Sequence, residues 1–182
     1  VNCPTIKDFA FSNLVLDIAS EYFNCLPALG TFNLRKSYVN TSNPVKHQIF
    51  HSDPNSIKFI KFFFYLNDVD MEGGPFCIVK GSLYRKFSGW LDKYRWTEEE
   101  MKAIYGEDSI QRLTANAGDM IIANTTCFHK GIPPTKQDRT MLTLNYVVHP
   151  EDWKKPTFQI KKDDYENLPD NVKPAADYLV KI

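Results

Sequence analysis

The chain has 182 residues, of which 43% are hydrophobic and 14% aromatic, so it can bury the core of one domain without disulfides or a structural metal. Its 22 Lys and Arg residues balance its 22 Asp and Glu residues, so no overall field draws it to nucleic acid or to an anionic membrane. We predict a single domain over residues 1–182, with a small molecule rather than a nucleic acid or a membrane as its partner.

Location and redox state follow from motifs that the sequence lacks. No run approaches the roughly 20 apolar residues of a membrane span, and no signal-peptide pattern is present. The four cysteines have no zinc-module spacing: Cys3, Cys25, Cys77 and Cys127. We therefore expect a cytoplasmic protein with reduced, mostly buried thiols. Because the chain begins with Val1 rather than Met, we expect its N-terminal part to be incomplete, and its oligomeric state is left open.

The first predicted element is an amphipathic helix. Six apolar residues recur at the spacing of one helix face: Phe11, Leu14, Val15, Ile18, Ala19 and Tyr22. Core burial explains such a stripe, so we interpret it as a packing helix rather than a functional surface.

From about residue 31 the sequence changes to short stretches rich in β-branched and aromatic residues. Asn67-Asp68, Gly73-Gly74 and Pro133-Pro134 supply turns between them. The predicted strands cover about 31–40, 46–53, 57–66, 75–80, 118–123, 140–148 and 156–160. A short helix from Pro174 through Leu179 is expected to cap the β core. The fold class is therefore mainly β, an α+β domain with flanking helices.

A long insertion over residues 83–111 separates two groups of predicted strands. Thr97 and Glu100 form a capping box for one helix, the run from Glu98 to Tyr105, which Gly106 can end. The insertion also carries a cationic and aromatic set: Tyr84, Arg85, Lys86, Trp90, Tyr94, Arg95 and Trp96. Two interpretations stay open, a lid over an active site or a solvated connector with a few aromatic residues docked on the core.

A candidate metal site lies at the end of the second predicted strand. Alternate residues of a strand face the same side, so His51 and Asp53 point together while Ser52 points away. An imidazole nitrogen and a carboxylate oxygen together suit Fe(II), and a second histidine would complete a facial triad that leaves positions open for a cosubstrate and O₂. The His-x-Asp pattern alone occurs by chance in many proteins. Its weight here comes from His129, the candidate second histidine, and from Arg139.

Arg139, ten residues after His129, is the candidate anchor for a carboxylate. Its planar guanidinium is always charged and matches a carboxylate in bidentate fashion, which lysine does less well. The connection over residues 130–138 contains Pro133-Pro134 and can return the strand carrying Arg139 to a position beside His129.

The order of motifs around these residues resembles the phytanoyl-CoA dioxygenase family of Fe(II)- and 2-oxoglutarate-dependent oxygenases, over roughly residues 48–146. That family places His-x-Asp before a long apolar strand, followed by an acidic turn, a Gly-rich segment and a Gly-Ser pair. A Gly-Asp pair, the distal histidine and an arginine come downstream. The matching segments here are His51-Ser52-Asp53, 57–66, 67–70, Glu72-Gly73-Gly74-Pro75, Gly81-Ser82, Gly118-Asp119, His129 and Arg139.

The resemblance implies a double-stranded β-helix, the jelly-roll core of cupin-like proteins. It implies His51, Asp53 and His129 as the iron ligands and catalytic centre, and Arg139 as the partner of the distal carboxylate of 2-oxoglutarate. The implied enzyme uses Fe(II), O₂ and 2-oxoglutarate to hydroxylate an unactivated C–H bond of a small molecule, with release of succinate and CO₂. Related halogenases have a small residue in place of the carboxylate, so Asp53 favours hydroxylation.

Two alternatives to this function remain open. One is a non-catalytic jelly-roll binding protein, and the other is a metal-dependent cupin-type enzyme that does not use 2-oxoglutarate and does not need Arg139. Family members often have histidine after the Gly-Ser pair, where this chain has Leu83, so that loop is no guide to the substrate. His47 and His149 lack a carboxylate at ligand spacing, and we interpret them as structural or supporting residues.

Overall fold

The computed structural model describes residues 3–40, 42–53, 57–149 and 159–180. Its helices are α1 (Pro4–Ala10), α2 (Asn13–Phe23), α3 (Glu98–Tyr105) and α4 (Lys162–Glu166). Single 3₁₀ turns cover Lys46–Gln48, Glu107–Ser109, Lys173–Ala175 and Asp177–Leu179. The strands are β1 (Ala28–Ser37), β2 (Phe59–Tyr65), β3 (Phe76–Val79), β4 (Ile110–Leu113), β5 (Met120–Ala123), β6 (His129–Gly131) and β7 (Arg139–Val147).

The chain divides into two compact units. The first unit comprises residues 1–33, 55–62 and 143–182, and the second comprises residues 34–54 and 63–142. Three of the four boundaries fall inside β1, β2 and β7, so each of these strands contributes residues to both units. The four residues predicted to form the site all belong to the second unit: His51, Asp53, His129 and Arg139.

In the first unit, α2 buries an apolar face close to the predicted one. Val15 and Ala19 are fully buried, and Phe23 extends this face to the last residue of the helix. The helix ends there because Asn24 adopts a left-handed backbone with φ of 59°. Leu14 was predicted on the buried face but is 61% exposed, since the buried side of the helix is centred on Val15 and Leu16. The predicted C-terminal helix is replaced by two 3₁₀ turns.

The strands form two sheets, one with the order β1-β7-β2-β5 and one with the order β4-β3-β6. In the second sheet, β3 pairs antiparallel with both neighbours. Phe76 lies opposite Gly131, and Ile78 lies opposite His129. Because directly opposite residues share a face of a sheet, His129 and Gly131 project to the same side as Phe76 and Ile78.

Strand β3 separates two apolar clusters of the second unit. Its alternate residues Phe76 and Ile78 contact one cluster, which also contains Phe63, Tyr65 and Val69 and is here called the inner cluster. The intervening residues Cys77 and Val79 contact the other, here called the outer cluster, whose further buried members are Phe50, Met101 and Phe128. The period-two alternation of a strand therefore assigns each face of the sheet to its own cluster.

The insertion docks most of its aromatic side chains on the outer cluster. Phe87, Trp90 and Trp96 pack against this cluster, with ring centroids 5.8 to 6.4 Å from that of Phe128. Tyr84 and Tyr94, in contrast, are 92% and 84% exposed. Most aromatic side chains of the segment are thus docked on the core, and both interpretations of the insertion stay predictions.

Helix α3 spans the predicted residues and has the predicted capping box. Thr97 Oγ1 accepts from the Glu100 amide at 3.2 Å, and the Glu100 carboxylate accepts from the Thr97 amide at 2.8 Å. The helix ends before Gly106, whose φ is 99°. These hydrogen bonds satisfy amide donors that the first helical turn leaves free.

Several strand predictions differ from the structure. Residues 46–48 form a 3₁₀ turn rather than a strand, because the Gln48 side chain accepts from the Val45 amide at 2.8 Å and closes the turn locally. Only Phe50 and His51 of the predicted strand form bridges. Strands β4 and β6 were not predicted. Of the predicted strand 156–160, residues 156–158 lie outside the described part of the chain, and Ile160 bridges Val180.

The four cysteines are free thiols. Cys77 and Cys127 are buried, Cys3 is half-buried and Cys25 is exposed, so the expected burial holds for two of them. Burial raises the pKa of the Cys77 and Cys127 thiols to about 11, which keeps both protonated near neutral pH. Within the described residues, every helix is too short or too polar to cross a lipid bilayer.

Candidate metal centre

The predicted ligands His51, Asp53 and His129 converge in the structure. Each offers a ligand atom, and these atoms lie within 4.8 Å of one another. His51 Nε2 is 3.5 Å from Asp53 Oδ1, and His129 Nε2 is 3.4 Å from Asp53 Oδ2. Two imidazoles and one carboxylate therefore point at a common volume, which is the arrangement of a facial triad.

A short antiparallel bridge brings the two histidines together. The His51 amide donates to the His129 carbonyl at 3.0 Å, and the His129 amide donates back at 2.9 Å. Directly opposite side chains of such a pair share a face, and the two ring centroids are 4.2 Å apart. The loop of residues 124–128 also binds the segment after His51, because the Asp53 amide donates to the Thr125 carbonyl at 2.9 Å.

Backbone carbonyls orient both imidazole rings. His51 Nδ1 lies 2.9 Å from the carbonyl of Ile49, and His129 Nδ1 lies 3.0 Å from the carbonyl of Cys127. A carbonyl only accepts, so each Nδ1 carries the proton of the neutral ring and leaves the Nε2 lone pair for a metal. For each ring, the carbonyl that orients it belongs to the residue two positions upstream.

The electrostatics of the site favour the binding of a cation. Burial, together with the neighbouring His129, lowers the pKa of the His51 imidazole to about 4. His51 is therefore neutral at neutral pH and needs to lose no proton before it binds a metal. Asp53 Oδ2 accepts a hydrogen bond of 2.8 Å from the Thr125 hydroxyl, which fixes the orientation of the carboxylate.

Arg139 is a buried cation without a carboxylate partner among the described residues. Its side chain is 6% exposed, and its Nε has no hydrogen-bond partner. Nη1 donates to the Ile132 carbonyl at 3.4 Å and Nη2 to the Ser37 hydroxyl at 3.3 Å, both long hydrogen bonds. Burial lowers the pKa of the guanidinium, and nearby Arg35 lowers it further. A buried charge of this kind is costly unless an anion compensates it.

Gly131 connects the position of Arg139 to the histidines. A Cβ placed on Gly131 would lie 3.4 Å from Arg139 Nη2, so the guanidinium lies over the side of β6 to which Gly131 faces. His129 is two residues earlier on β6 and faces the same side, about 7 Å along the strand. The guanidinium therefore lies on the face of β6 to which the candidate ligand His129 projects.

Other residues of the sequence motifs have structural roles. The buried Ser82 hydroxyl donates to the Val79 carbonyl at 2.7 Å and accepts from the Phe128 amide at 2.8 Å, which fixes the residue before His129. Asp70 closes the acidic turn by accepting from the Gly73 amide at 2.7 Å. Ser82 and Asp70 therefore hold the backbone in place in this structure.

Two candidate histidines lie outside the ligand set. His47 is exposed, and its ring centroid is 5.4 Å from that of His51. His149 is exposed beyond the end of β7. One residue that sequence reasoning missed contributes to the site instead: Thr125, 72 residues from Asp53 in the chain. No local pattern marks it, since it reaches Asp53 only through long-range pairing.

No model of a known protein family matches this chain, and no curated protein matches it either. Solved protein structures, in contrast, do match it. HygX from Streptomyces hygroscopicus, with nickel and 2-oxoglutarate bound, is 16% identical, with 90% of this chain and 70% of HygX covered and a TM-score of 0.60. EctD from S. alaskensis, with 2-oxoglutarate and 5-hydroxyectoine, is 15% identical, with 84% and 60% covered and a TM-score of 0.61.

SnoN, a non-haem α-ketoglutarate-dependent epimerase from nogalamycin biosynthesis, is 17% identical, with 80% of this chain and 58% of SnoN covered and a TM-score of 0.61. The chain shares the fold of these three proteins. The predicted double-stranded β-helix core with flanking helices is thereby confirmed. The chain spans less than two thirds of EctD and of SnoN. Membership of the phytanoyl-CoA dioxygenase family stays a prediction.

Proposed function

We propose that this chain is an Fe(II)- and 2-oxoglutarate-dependent oxygenase that hydroxylates a C–H bond of a small molecule, and that residues 1–182 act as one domain in this reaction. One observation carries the proposal: two imidazoles and a carboxylate converge beside a buried guanidinium that has no carboxylate partner among the described residues. The shared fold supports it, because HygX binds nickel and 2-oxoglutarate on a related scaffold.

The donor set fits a divalent iron. His51 and His129 would each supply Nε2, and Asp53 would supply a carboxylate oxygen, a mixture of nitrogen and oxygen ligands that suits Fe(II). Thr125 and the two backbone carbonyls hold these ligands in orientation before metal arrives. When bound there, iron would supply the oxidising chemistry with O₂, while the protein orients the substrate and excludes water.

Arg139 would hold the distal carboxylate of 2-oxoglutarate. Its unpartnered Nε and its long bonds from Nη1 and Nη2 leave the planar fork available for a bidentate carboxylate. The keto acid end of the same molecule would then lie toward His129, because the guanidinium lies over Gly131 on the face that His129 shares. An anion here also compensates the buried positive charge.

Hydroxylation is the outcome that Asp53 favours. A carboxylate ligand occupies the position that a halide needs in the related halogenases, so transfer of oxygen is the simpler result. The fold by itself does not choose the reaction, since SnoN is described as an epimerase and the similar SnoK as a carbocyclase. The proposal of hydroxylation therefore rests on the ligand set of this chain.

Reconstitution tests the proposal. The protein is loaded anaerobically with Fe(II) and 2-oxoglutarate, exposed to O₂ with a panel of small metabolites, and assayed for succinate and for products one oxygen atom heavier. We expect succinate only when iron and 2-oxoglutarate are both present, and none from His51→Ala or Asp53→Ala. His149→Ala, at an exposed position, is the matched control and should retain turnover.

The possible failures are distinct. Unchanged turnover in either ligand variant would contradict the metal assignment. Product formation that does not require 2-oxoglutarate would indicate a metal-dependent cupin-type enzyme that does not use this cosubstrate. Binding of 2-oxoglutarate without succinate, under any substrate, would indicate a non-catalytic binding protein.

A further inference from the structure

Arg95 lies in a row with the two candidate histidine ligands. Phe50 and Trp96 form an antiparallel bridge, in which the Trp96 amide donates to the Phe50 carbonyl at 2.9 Å. The next residues on each side, Arg95 and His51, then lie opposite each other. His51 in turn bridges His129. The three side chains therefore follow one another across three chain segments, with roughly 5 Å between neighbouring Cα atoms.

The packing of the alternate residues shows which side this row faces. Phe50, Trp96 and Phe128 all contact the outer cluster, with 6.3 Å between the ring centroids of Trp96 and Phe128. Their neighbours Arg95 and His51 must project to the opposite side, which is the side of the metal ligands.

Two other cations of the insertion are neutralised by glutamates, since Lys93 pairs with Glu100 and Lys102 with Glu107. Arg95 is half-buried, and its Nη1 donates to the Tyr94 carbonyl at 2.8 Å. Across residues 3–40, 42–53, 57–149 and 159–180, no carboxylate forms an ion pair with it. Since a guanidinium has five N–H donors, most of them remain available to a ligand.

We propose that Arg95 binds an anionic group, a carboxylate or a phosphate, of the molecule that is oxidised. This rests on the proposed function and adds a substrate class to it. Arg139 is assigned to the cosubstrate, so Arg95 is a second, separate guanidinium at the edge of the same site. A small anionic substrate held by Arg95 has its remaining atoms beside His51 and His129, where a C–H bond can face the metal.

A binding experiment on the metal-free protein tests the anion site without any turnover. Arginine side-chain ¹⁵N spectra are recorded while inorganic phosphate or propionate is added at constant ionic strength. We expect the Nε–H signal of Arg95, assigned by its loss in Arg95→Gln, to shift saturably. The control is Arg85, whose guanidinium lies 5.3 Å from the ring centroid of Tyr105 and whose signal should not saturate. If the shift saturates at a lower concentration of phosphate than of propionate, the site prefers a phosphate group, and the reverse order indicates a carboxylate. If neither anion gives a saturable shift, the proposal is overturned.

A turnover experiment tests the same site in the reconstituted enzyme. Each acid of a metabolite panel is paired with its neutral amide or alcohol, and succinate release is measured. We expect the acids to stimulate release and Arg95→Gln to raise their KM about 10- to 100-fold, the loss of a charge-assisted hydrogen bond. Arg95→Lys should recover part of this loss, and Arg85→Gln should leave the KM unchanged.

The two experiments separate the failure of each proposal. If only neutral or cationic molecules stimulate succinate release, or if Arg95→Gln raises the KM for 2-oxoglutarate instead, the assignment of Arg95 is overturned while the oxygenase function stands. If the wild-type protein releases no succinate but phosphate or propionate still saturates at Arg95, the oxygenase function fails and the anion site is retained.

Discussion

Asp53 and Thr125 are joined by two hydrogen bonds across 72 residues of sequence. The Thr125 hydroxyl donates to Asp53 Oδ2 at 2.8 Å, and the Asp53 amide donates to the Thr125 carbonyl at 2.9 Å. Thr125 is completely buried, and the Asp53 side chain is 16% exposed. The loop that leads to one candidate ligand, His129, therefore also fixes the orientation of another.

Thr125→Val should weaken metal binding while retaining the fold. Valine has the shape of threonine but cannot donate to Asp53, and loss of such a supporting hydrogen bond typically costs about 10- to 100-fold in metal affinity. Titration calorimetry of the metal-free protein with Ni²⁺ measures the change. Thr126→Val is the matched control, because Thr126 forms its hydrogen bonds through the backbone amide and carbonyl, which valine retains. Equal affinities in the wild type and Thr125→Val would show that Asp53 needs no such support.

Arg139→Met should strongly weaken the binding of 2-oxoglutarate without a loss of stability. Methionine fills a similar volume and removes a buried charge that no described carboxylate neutralises, so we expect the free energy of unfolding in urea to stay equal or to rise by about 1 to 2 kcal/mol. The KM for 2-oxoglutarate should rise at least about 100-fold, because a bidentate charged contact is lost.

The control for Arg139→Met is Arg35→Met, which removes an exposed neighbouring cation and should change the KM only slightly. Thermal unfolding adds an independent readout, since a ligand that binds only the folded state raises the melting temperature. 2-Oxoglutarate should stabilise the wild type and Arg35→Met but not Arg139→Met. A strongly destabilised Arg139→Met would instead show that the guanidinium has a structural role.

Glu98 should make stability depend on pH. Burial raises the pKa of its carboxyl, but hydrogen bonds from Lys130 and Arg112 outweigh burial and hold the pKa below its usual value. A carboxyl with a lowered folded-state pKa stabilises the protein above the pKa of the unfolded chain, and this stability is lost as the pH falls through the folded-state pKa. Glu98→Gln should therefore lower the free energy of unfolding at pH 7 by about 1 to 3 kcal/mol, and less in acid.

Urea unfolding at neutral and acidic pH measures this difference. Glu107→Gln is the control, because the Glu107 side chain is 80% exposed and pairs with Lys102 at 3.3 Å. An exposed pair of this kind contributes little at either pH. A difference between the wild type and Glu98→Gln that stays constant with pH would show that packing, rather than charge, accounts for the effect of Glu98.

Helix α3 was predicted correctly because the cause of its start is local. Thr97 and Glu100 lie within one turn of each other, so the sequence alone defines the start of α3. Strands β4 and β6 have only 4 and 3 residues, and their place in the sheet depends on pairing with β3 rather than on their own apolar pattern. The segment before His51 has strand-like residues, yet the Gln48 side chain closes a turn there.

The same division applies to the candidate site. His51, Asp53, His129 and Arg139 could be proposed because their side-chain chemistry is distinctive and their order along the chain resembles a known family. Thr125 could not, since a threonine has no such signature and acts only through a contact made by folding. Arg95 was visible as one cation among several, and only the bridge between Phe50 and Trp96 separates it from the rest.

Gly74→Ala should be far more destabilising than Gly81→Ala, although both glycines have similar left-handed backbones, with φ of 74° and 80°. A Cβ on Gly74 would lie 2.4 Å from the carbonyl oxygen of Ile132, a backbone atom that cannot move aside alone, whereas a Cβ on Gly81 meets nothing within 4 Å. Gly81→Ala should cost about 1 to 2 kcal/mol for the backbone conformation, and Gly74→Ala a further 1 to 3 kcal/mol or so for overpacking. Urea unfolding of both variants measures the difference.

Because Ile132 lies on the connection between His129 and Arg139, Gly74→Ala should also weaken 2-oxoglutarate binding. Equal losses of stability in the two variants would show that this connection shifts freely.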